Sequence, residues 1–217
     1  MKEKFPKNYT LLLSGPPGVG KFEYCLDLVS YYLQKDENVI YITTEQSPND
    51  IKARTKKIGP TLEEYESRKL IFIDCFSWSV GEKYEGSFSI DNPANLNEIS
   101  ISLDKAVKKL GKPVRIFFDS ISPLFLHNAQ SAMSKFFQVL SSRVKSDYGF
   151  ILYTLQDGVH EPQLVNTLVY LVDGFIQMEF GEGERLERKL RVHHLRGIPS
   201  DPSWMRFEIK NGFKLLE

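Results

Sequence analysis

Apolar residues follow two rhythms along the chain. Short unbroken runs at 9–14 (YTLLLS), 38–43 (NVIYIT), 70–74 (LIFID), 114–119 (VRIFFD), 149–155 (GFILYTL) and 173–180 (DGFIQMEF) are rich in aliphatic, β-branched and aromatic side chains and predict buried strands. Between them the spacing turns helical. In 21–34 the apolar positions Phe22, Cys25, Leu26, Val29, Tyr32 and Leu33 fall on one face, and helices are also predicted over 96–110, stopping at Gly111, over 131–145 and over 161–171. Two shorter helices, 49–57 and 62–66, flank a break at Gly59-Pro60. The tail segments 187–195, 204–210 and 213–216 predict a meander of strands. The stretch 76–95 is rich in Ser, Gly and Asn and has no clear period; it reads either as a functional or mobile loop or as a loosely ordered surface excursion.

Strands that are apolar throughout, rather than alternating, belong to a parallel sheet covered on both faces. Their alternation with helices makes the fold α/β, with antiparallel strands added at one edge by the tail. A chain of 217 residues holds one large domain of this kind, so 1–217 is read as a single unit.

Composition removes several functions. Lys plus Arg is 28 and Asp plus Glu is 28, so no net charge draws the chain to DNA or to an anionic membrane. One local run of basic residues, Lys52, Arg54, Lys56 and Lys57, is compatible with a basic patch. Cys25 and Cys75 form neither a metal-ligand spacing nor a disulfide framework, which suits a reduced, cytoplasmic protein. No apolar run is long enough to span a bilayer, and the start, MKEKFPKN, is too polar for a signal peptide.

The chemistry concentrates where the first predicted strand meets the first helix. Gly15, Pro16, Pro17, Gly18, Val19, Gly20 and Lys21 fit G-x-x-x-x-G-K, in the strand–loop–helix context this phosphate-binding motif requires. Glycines let backbone N–H groups converge on phosphate oxygens, the helix N-terminus adds partial positive charge, and the lysine neutralises the terminal phosphates. The alternative is a Gly/Pro turn that merely precedes a helix. The motif continues with Ser or Thr, whose hydroxyl ligates Mg²⁺, but here the residue is Phe22. Either Phe22 weakens metal-assisted chemistry, or the ring simply packs while Mg²⁺ is held by phosphates, waters and Asp119. Glu23 follows, and its carboxylate repels phosphate unless it is paired.

Asp119 ends the strand VRIFFD, and an acid at the carboxyl end of a parallel strand points toward the ligand crevice. It suits a magnesium-side acid; the alternative is a helix N-cap. Glu45, just past NVIYIT, is placed to activate a water. Gln156, after FILYTL, is placed to sense a terminal phosphate, although loop residues are commonly polar without any such role. Arg196, in His194-Leu195-Arg196-Gly197, is a candidate to stabilise phosphoryl charge on a neighbouring subunit, against the alternative of a solvated charge at a strand end.

Together the loop 15–21, VIYITTEQSPNDI at 39–51, IFFDSIS at 116–122 and HHLRGIPSDPSWMRFEI at 193–209 resemble the KaiC-type branch of the RecA-like ATPases over essentially the whole chain. The phosphate loop is shared by many NTPases; the E-x-S-P and L-R-G-x-P elements are more diagnostic. The resemblance implies a RecA-like fold in which a strand, here 149–155, lies between the strands bearing the loop and Asp119. It also implies ATP as ligand with Mg²⁺, and assembly as a homo-oligomer or with related subunits. Three positions depart from the family pattern. Phe22 replaces Ser/Thr, Gln46 stands where a second glutamate is typical, and His194 stands where many members carry lysine. The framework is kept while positions of chemistry change. This points to an ATP-binding, regulatory domain with weak or absent hydrolysis; the alternatives are an active oligomeric ATPase and an accessory protein in DNA recombination or repair.

Overall fold

The apolar runs become strands because each is buried on both faces. In Tyr9–Gly15 (β1), Leu11 and Leu13 enter one hydrophobic layer and Leu12 the other. The same division separates Tyr41 from Ile40 and Ile42 in Asn38–Thr43 (β2), and Phe117 from Ile116 and Phe118 in Val114–Asp119 (β5). The computed structural model describes residues 5–58, 61–82, 84–85, 88–181, 187–210 and 212–216.

The remaining strands are Leu70–Asp74 (β3), Phe88–Ser89 (β4), Gly149–Gln156 (β6), Gly174–Phe180 (β7), Arg188–Leu195 (β8), Met205–Ile209 (β9) and Phe213–Leu215 (β10). All ten form one sheet in the order β10-β9-β8-β7-β1-β6-β5-β2-β3-β4. Pairing is parallel from β7 across to β4 and antiparallel from β7 through β8 and β9 to β10. β6 lies between β1 and β5, the arrangement the resemblance implies.

Lys21–Gln34 (α1) and Pro48–Ile58 (α2) cover one face of the sheet, with Tyr24, Leu28, Val29, Tyr32 and Ile51 in that layer. Leu96–Leu110 (α3), Gln130–Arg143 (α4) and Pro162–Leu171 (α5) cover the other, through residues such as Leu103, Phe137 and Leu168. Asn95 caps α3 by accepting from the Glu98 N–H at 3.3 Å. No helix among the described residues is long and apolar enough to cross a membrane.

The structure amends the expected elements in a few places. The helix expected to reach 145 leaves α geometry at Arg143 and continues as a single π turn, Val144–Tyr148. The helix expected over 62–66 is a 3₁₀ turn, Leu62–Glu64. The stretch 76–95 holds a 3₁₀ turn, Ser77–Val80, and the edge strand β4. That turn is anchored by the Asp74 carboxylate, which accepts from the N–H groups of Phe76 and Ser77 at 2.9 and 3.1 Å. The break expected at Gly59-Pro60 lies outside the described residues.

Candidate functional site

The loop 15–20 turns at the carboxyl edge of β1, where α1 begins. A strand-to-helix reversal this tight needs backbone that L side chains avoid, and Gly20 supplies it with φ of 119°. A methyl group at Gly20 would also stand 2.4 Å from Ile209 Cδ1 and 3.2 Å from the Phe207 ring. The meander at the far end of the chain is thus packed directly against the loop.

Lys21 is only 6 % exposed, and its three ammonium donors are all engaged. They reach the Gly15 carbonyl at 2.6 Å, the Pro16 carbonyl at 2.9 Å and Gln156 Oε1 at 2.7 Å. Every acceptor is neutral, and among the described residues no carboxylate lies within salt-bridge distance. Burial pulls the Lys21 pKa below its ordinary value, opposed by the more distant carboxylates of Glu45, Asp119 and Asp157. A buried cation held only by dipoles is costly on its own. An anion arriving at the loop relieves that cost, so the donor set fits a phosphate.

Gln156 joins the loop to the next strand end. Its Nε2 donates to Glu45 Oε1 at 3.1 Å, and its N–H donates to Ser122 Oγ at 2.9 Å. Ser122 Oγ also pairs with His160 Nε2 at 2.8 Å. Glu45 itself is exposed at the carboxyl end of β2. Asp157 closes the loop's base: its N–H donates to the Gly15 carbonyl at 3.0 Å, and its carboxylate accepts from Ser14 Oγ.

Asp119 is buried, with both oxygens occupied. Oδ2 accepts from Tyr41 Oη at 2.7 Å and Oδ1 from Thr154 Oγ1 at 2.6 Å. Burial raises its pKa against the pull of these two bonds, and Glu45 adds to the rise. The following peptide is held in turn, with Thr44 Oγ1 donating to the Ser120 carbonyl at 2.7 Å.

Phe22 is half-buried against the core beneath α1 and α2. The Arg54 guanidinium covers the ring, 4.2 Å from its centroid. Arg54 also pairs with Glu23 at 3.1 Å, so Glu23 does not face the loop as a lone negative charge. The basic run is largely neutralised by such pairs: Lys52 meets Glu66 at 3.0 Å and Lys56 meets Glu63 at 2.7 Å. The Lys57 side chain lies outside the described residues. Toward magnesium, position 22 offers a phenyl ring where the motif usually offers a hydroxyl, and Asp119 is the carboxylate at the end of β5.

Lys21, Gln156, Glu45 and Asp119 therefore gather at the carboxyl edge of the sheet, the ligand side of an open α/β fold. Arg196 does not join them within one chain. The register Leu11–Gly174–Leu195 sets the end of β8 near the amino end of β1. Gly15 lies four positions beyond Leu11, roughly 13 Å along the strand. There Arg196 meets Asp173 Oδ1 at 3.0 Å, and Lys145 binds the same carboxylate. Burial would raise the Asp173 pKa, but the hydrogen bonds from Lys145 and Thr10 hold it below the usual carboxylate range.

Sequence reasoning missed Tyr41 and Thr154, the partners of Asp119, because each is an unremarkable member of a strand until the register is known. It noted Arg54 only as one of a basic run. Its partners Phe22 and Glu23 lie more than thirty positions away, and no local period connects them.

Comparison with known proteins agrees with this architecture. A family model described as "ATPase: KaiC" matches residues 1–215. A UPF0273 protein of Methanopyrus kandleri is 27 % identical over 210 residues, covering 94 % of this chain and 82 % of its own length. A UPF0273 protein of Thermotoga maritima is 29 % identical, covering 94 % of this chain and 85 % of its own. Another from Methanocaldococcus jannaschii is 29 % identical over 213 residues, covering 95 % and 86 %. Such a domain implies a nucleotide ligand and magnesium. With the G-x-x-x-x-G-K loop at the head of α1 and β6 between the strands of Lys21's loop and Asp119, the chain belongs to the KaiC ATPase family of RecA-like P-loop domains.

Proposed function

We propose that this chain binds ATP at Gly15–Lys21 and hydrolyses it slowly or not at all, serving as a regulatory nucleotide-binding subunit. The observation that carries this reading is the pairing of an anion-ready Lys21 with an apolar ring at the next position. The loop offers charge and dipoles to the phosphates, while position 22 offers no oxygen to a metal. Binding and turnover are thereby separated: the first needs the loop, the second also needs charge neutralised as the phosphoryl group moves.

The individual roles follow from chemistry. Lys21 is the counter-charge of the terminal phosphates. Gln156, bonded to Lys21 and Glu45 together, relays the occupancy of the loop to the end of β2. Glu45 is the general base of whatever hydrolysis remains. Asp119 acts by its charge at the crevice wall, positioned by Tyr41 and Thr154. Arg196, at the other end of the strands from Lys21, serves a neighbouring copy of the chain through a head-to-tail contact. DNA is not part of this reading, since charge is balanced over the chain and the basic run is mostly paired.

Replacing Lys21 with Ala removes the main counter-charge. A hydrogen bond to a charged group contributes about 1.5–3 kcal/mol, so calorimetry is expected to show ATP affinity lowered by about ten- to a hundredfold. A wild-type chain with no measurable affinity for any nucleoside triphosphate would remove the nucleotide reading altogether.

Steady-state phosphate release by the unaltered chain is expected to be near background, and Phe22→Thr is expected to raise it in a magnesium-dependent way. Full truncation of a buried Phe costs about 3–5 kcal/mol, and this ring is only half-buried, so the variant is first checked for a cooperative melt. Robust magnesium-dependent turnover by the wild type returns the chain to the active ATPases.

Arg196→Ala is expected to reduce ATP-linked assembly, read by light scattering, with the monomer's melting temperature little changed. Its bridge to Asp173 is 63 % exposed on the arginine side and contributes no more than about 1 kcal/mol. A wild type that stays monomeric at high concentration and saturating ATP rules this role out.

A further inference from the structure

The cation in contact with the altered position is neither the loop lysine nor a metal. Arg54 lies on α2, and its guanidinium carbon stands 4.2 Å from the centroid of the Phe22 ring. Nη2 donates to Glu23 Oε1 at 3.1 Å and Nη1 to Gln46 Oε1 at 2.7 Å. The fork is thus fixed by contacts to α1 and to the connection between β2 and α2. Those bonds use two of the guanidinium's five N–H donors, and the rest of its rim is available to a further oxyanion. The side chain is 49 % exposed, so a ligand reaches it from solvent.

These contacts complete a circuit that starts and ends on the first turn of α1. Lys21 Nζ donates to Gln156 Oε1 at 2.7 Å, and Gln156 Nε2 donates to Glu45 Oε1 at 3.1 Å. Gln46 follows Glu45 in the chain and accepts from Arg54, which returns through Glu23 to the turn that holds Lys21. Two cations, Lys21 and Arg54, are therefore tied to the first turn of α1, linked through side-chain bonds and the chain between neighbouring residues.

The two nearest departures from the family pattern, Phe22 and Gln46, are both partners of Arg54. A serine or threonine at position 22 offers no ring face, and Phe22 offers one on which the planar cation stacks. A glutamate at position 46 would set a second carboxylate beside Glu23 and cancel the guanidinium's charge further. Glutamine holds the fork with a neutral oxygen and leaves it a larger share of its charge. Each substitution by itself reads as a loss of chemistry; together they seat a cation.

We propose that Arg54, stacked on Phe22 and tethered by Glu23 and Gln46, is a built-in counter-cation for the terminal phosphates of a nucleoside triphosphate, in place of a divalent metal. This rests on the nucleotide reading above and goes beyond it by naming the residue that balances the charge. The arrangement favours a triphosphate over a diphosphate, because the additional phosphate charge is what a second cation answers. Arginine is suited to this, since its fork remains charged at any working pH and takes two phosphate oxygens at once.

The test is calorimetry with ATP and ADP in EDTA on the wild type, Arg54→Gln and Lys21→Ala. Arg54→Gln is expected to lose at least about tenfold in ATP affinity and less than about threefold in ADP affinity. ATP affinity within about twofold of the wild type in a folded Arg54→Gln overturns the proposal. The nucleotide reading survives that outcome if the wild type binds and Lys21→Ala does not. A wild type that binds neither nucleotide overturns both. A second readout uses the unaltered chain and is independent of whether the glutamine variant folds. The Arg54 side-chain N–H resonance, identified by its absence from Arg54→Lys, is expected to move on ATP addition in EDTA and less on ADP; a resonance unmoved by saturating ATP overturns the proposal.

Discussion

The constraint on which the site depends is the burial of one ammonium group against neutral oxygens. Lys21 is surrounded by two carbonyls of its own loop and one amide oxygen from β6, and none of them carries a charge. Burial lowers its pKa, against the pull of the more distant Glu45, Asp119 and Asp157 carboxylates. The loop holds this shape because both of its ends are fixed by the sheet. Asp157 binds the Gly15 carbonyl on one side, and the meander residues Phe207 and Ile209 press on Gly20 on the other. A cation maintained in this state attracts an anion more strongly than a solvated lysine does, since water no longer screens it.

From that point the charges around the crevice can be followed outward. Asp119 is buried and its pKa is raised, so its negative charge at the crevice wall is held at a cost and stabilised by Tyr41 and Thr154. Glu45 stays exposed and accepts from Gln156, which in turn accepts from Lys21. Beside α1's first turn, Glu23 pairs with Arg54, which also lies over the Phe22 ring. At position 22 the structure has an aromatic face with a guanidinium stacked on it, and in our proposal this pair takes over charge balance from an ion.

Much of the fold was legible because burial on both faces leaves an unambiguous mark. The runs YTLLLS, NVIYIT, LIFID and VRIFFD contain no alternation, and each is a strand of the parallel region. The meander was legible from its separate short runs. Boundaries were less so where local geometry departs from the two standard periods, as in the π turn after α4 and the two-residue strand β4. The phosphate loop was legible as a motif, since its spacing and its strand–helix context lie in one stretch of chain. The surroundings of that motif were not. Tyr41 and Thr154 reach Asp119 across 78 and 35 positions, and Arg54 reaches Glu23 across 31. Such partners depend on strand order and helix placement, which composition and spacing do not encode.

The central claim is that protein side chains, not a divalent cation, balance the terminal phosphates. The most direct measurement is the ATP affinity of the unaltered chain along a magnesium series, from EDTA to excess metal at constant ionic strength. An affinity that changes by less than about threefold across the series is the predicted result, and an affinity that rises by about tenfold or more with magnesium contradicts the account.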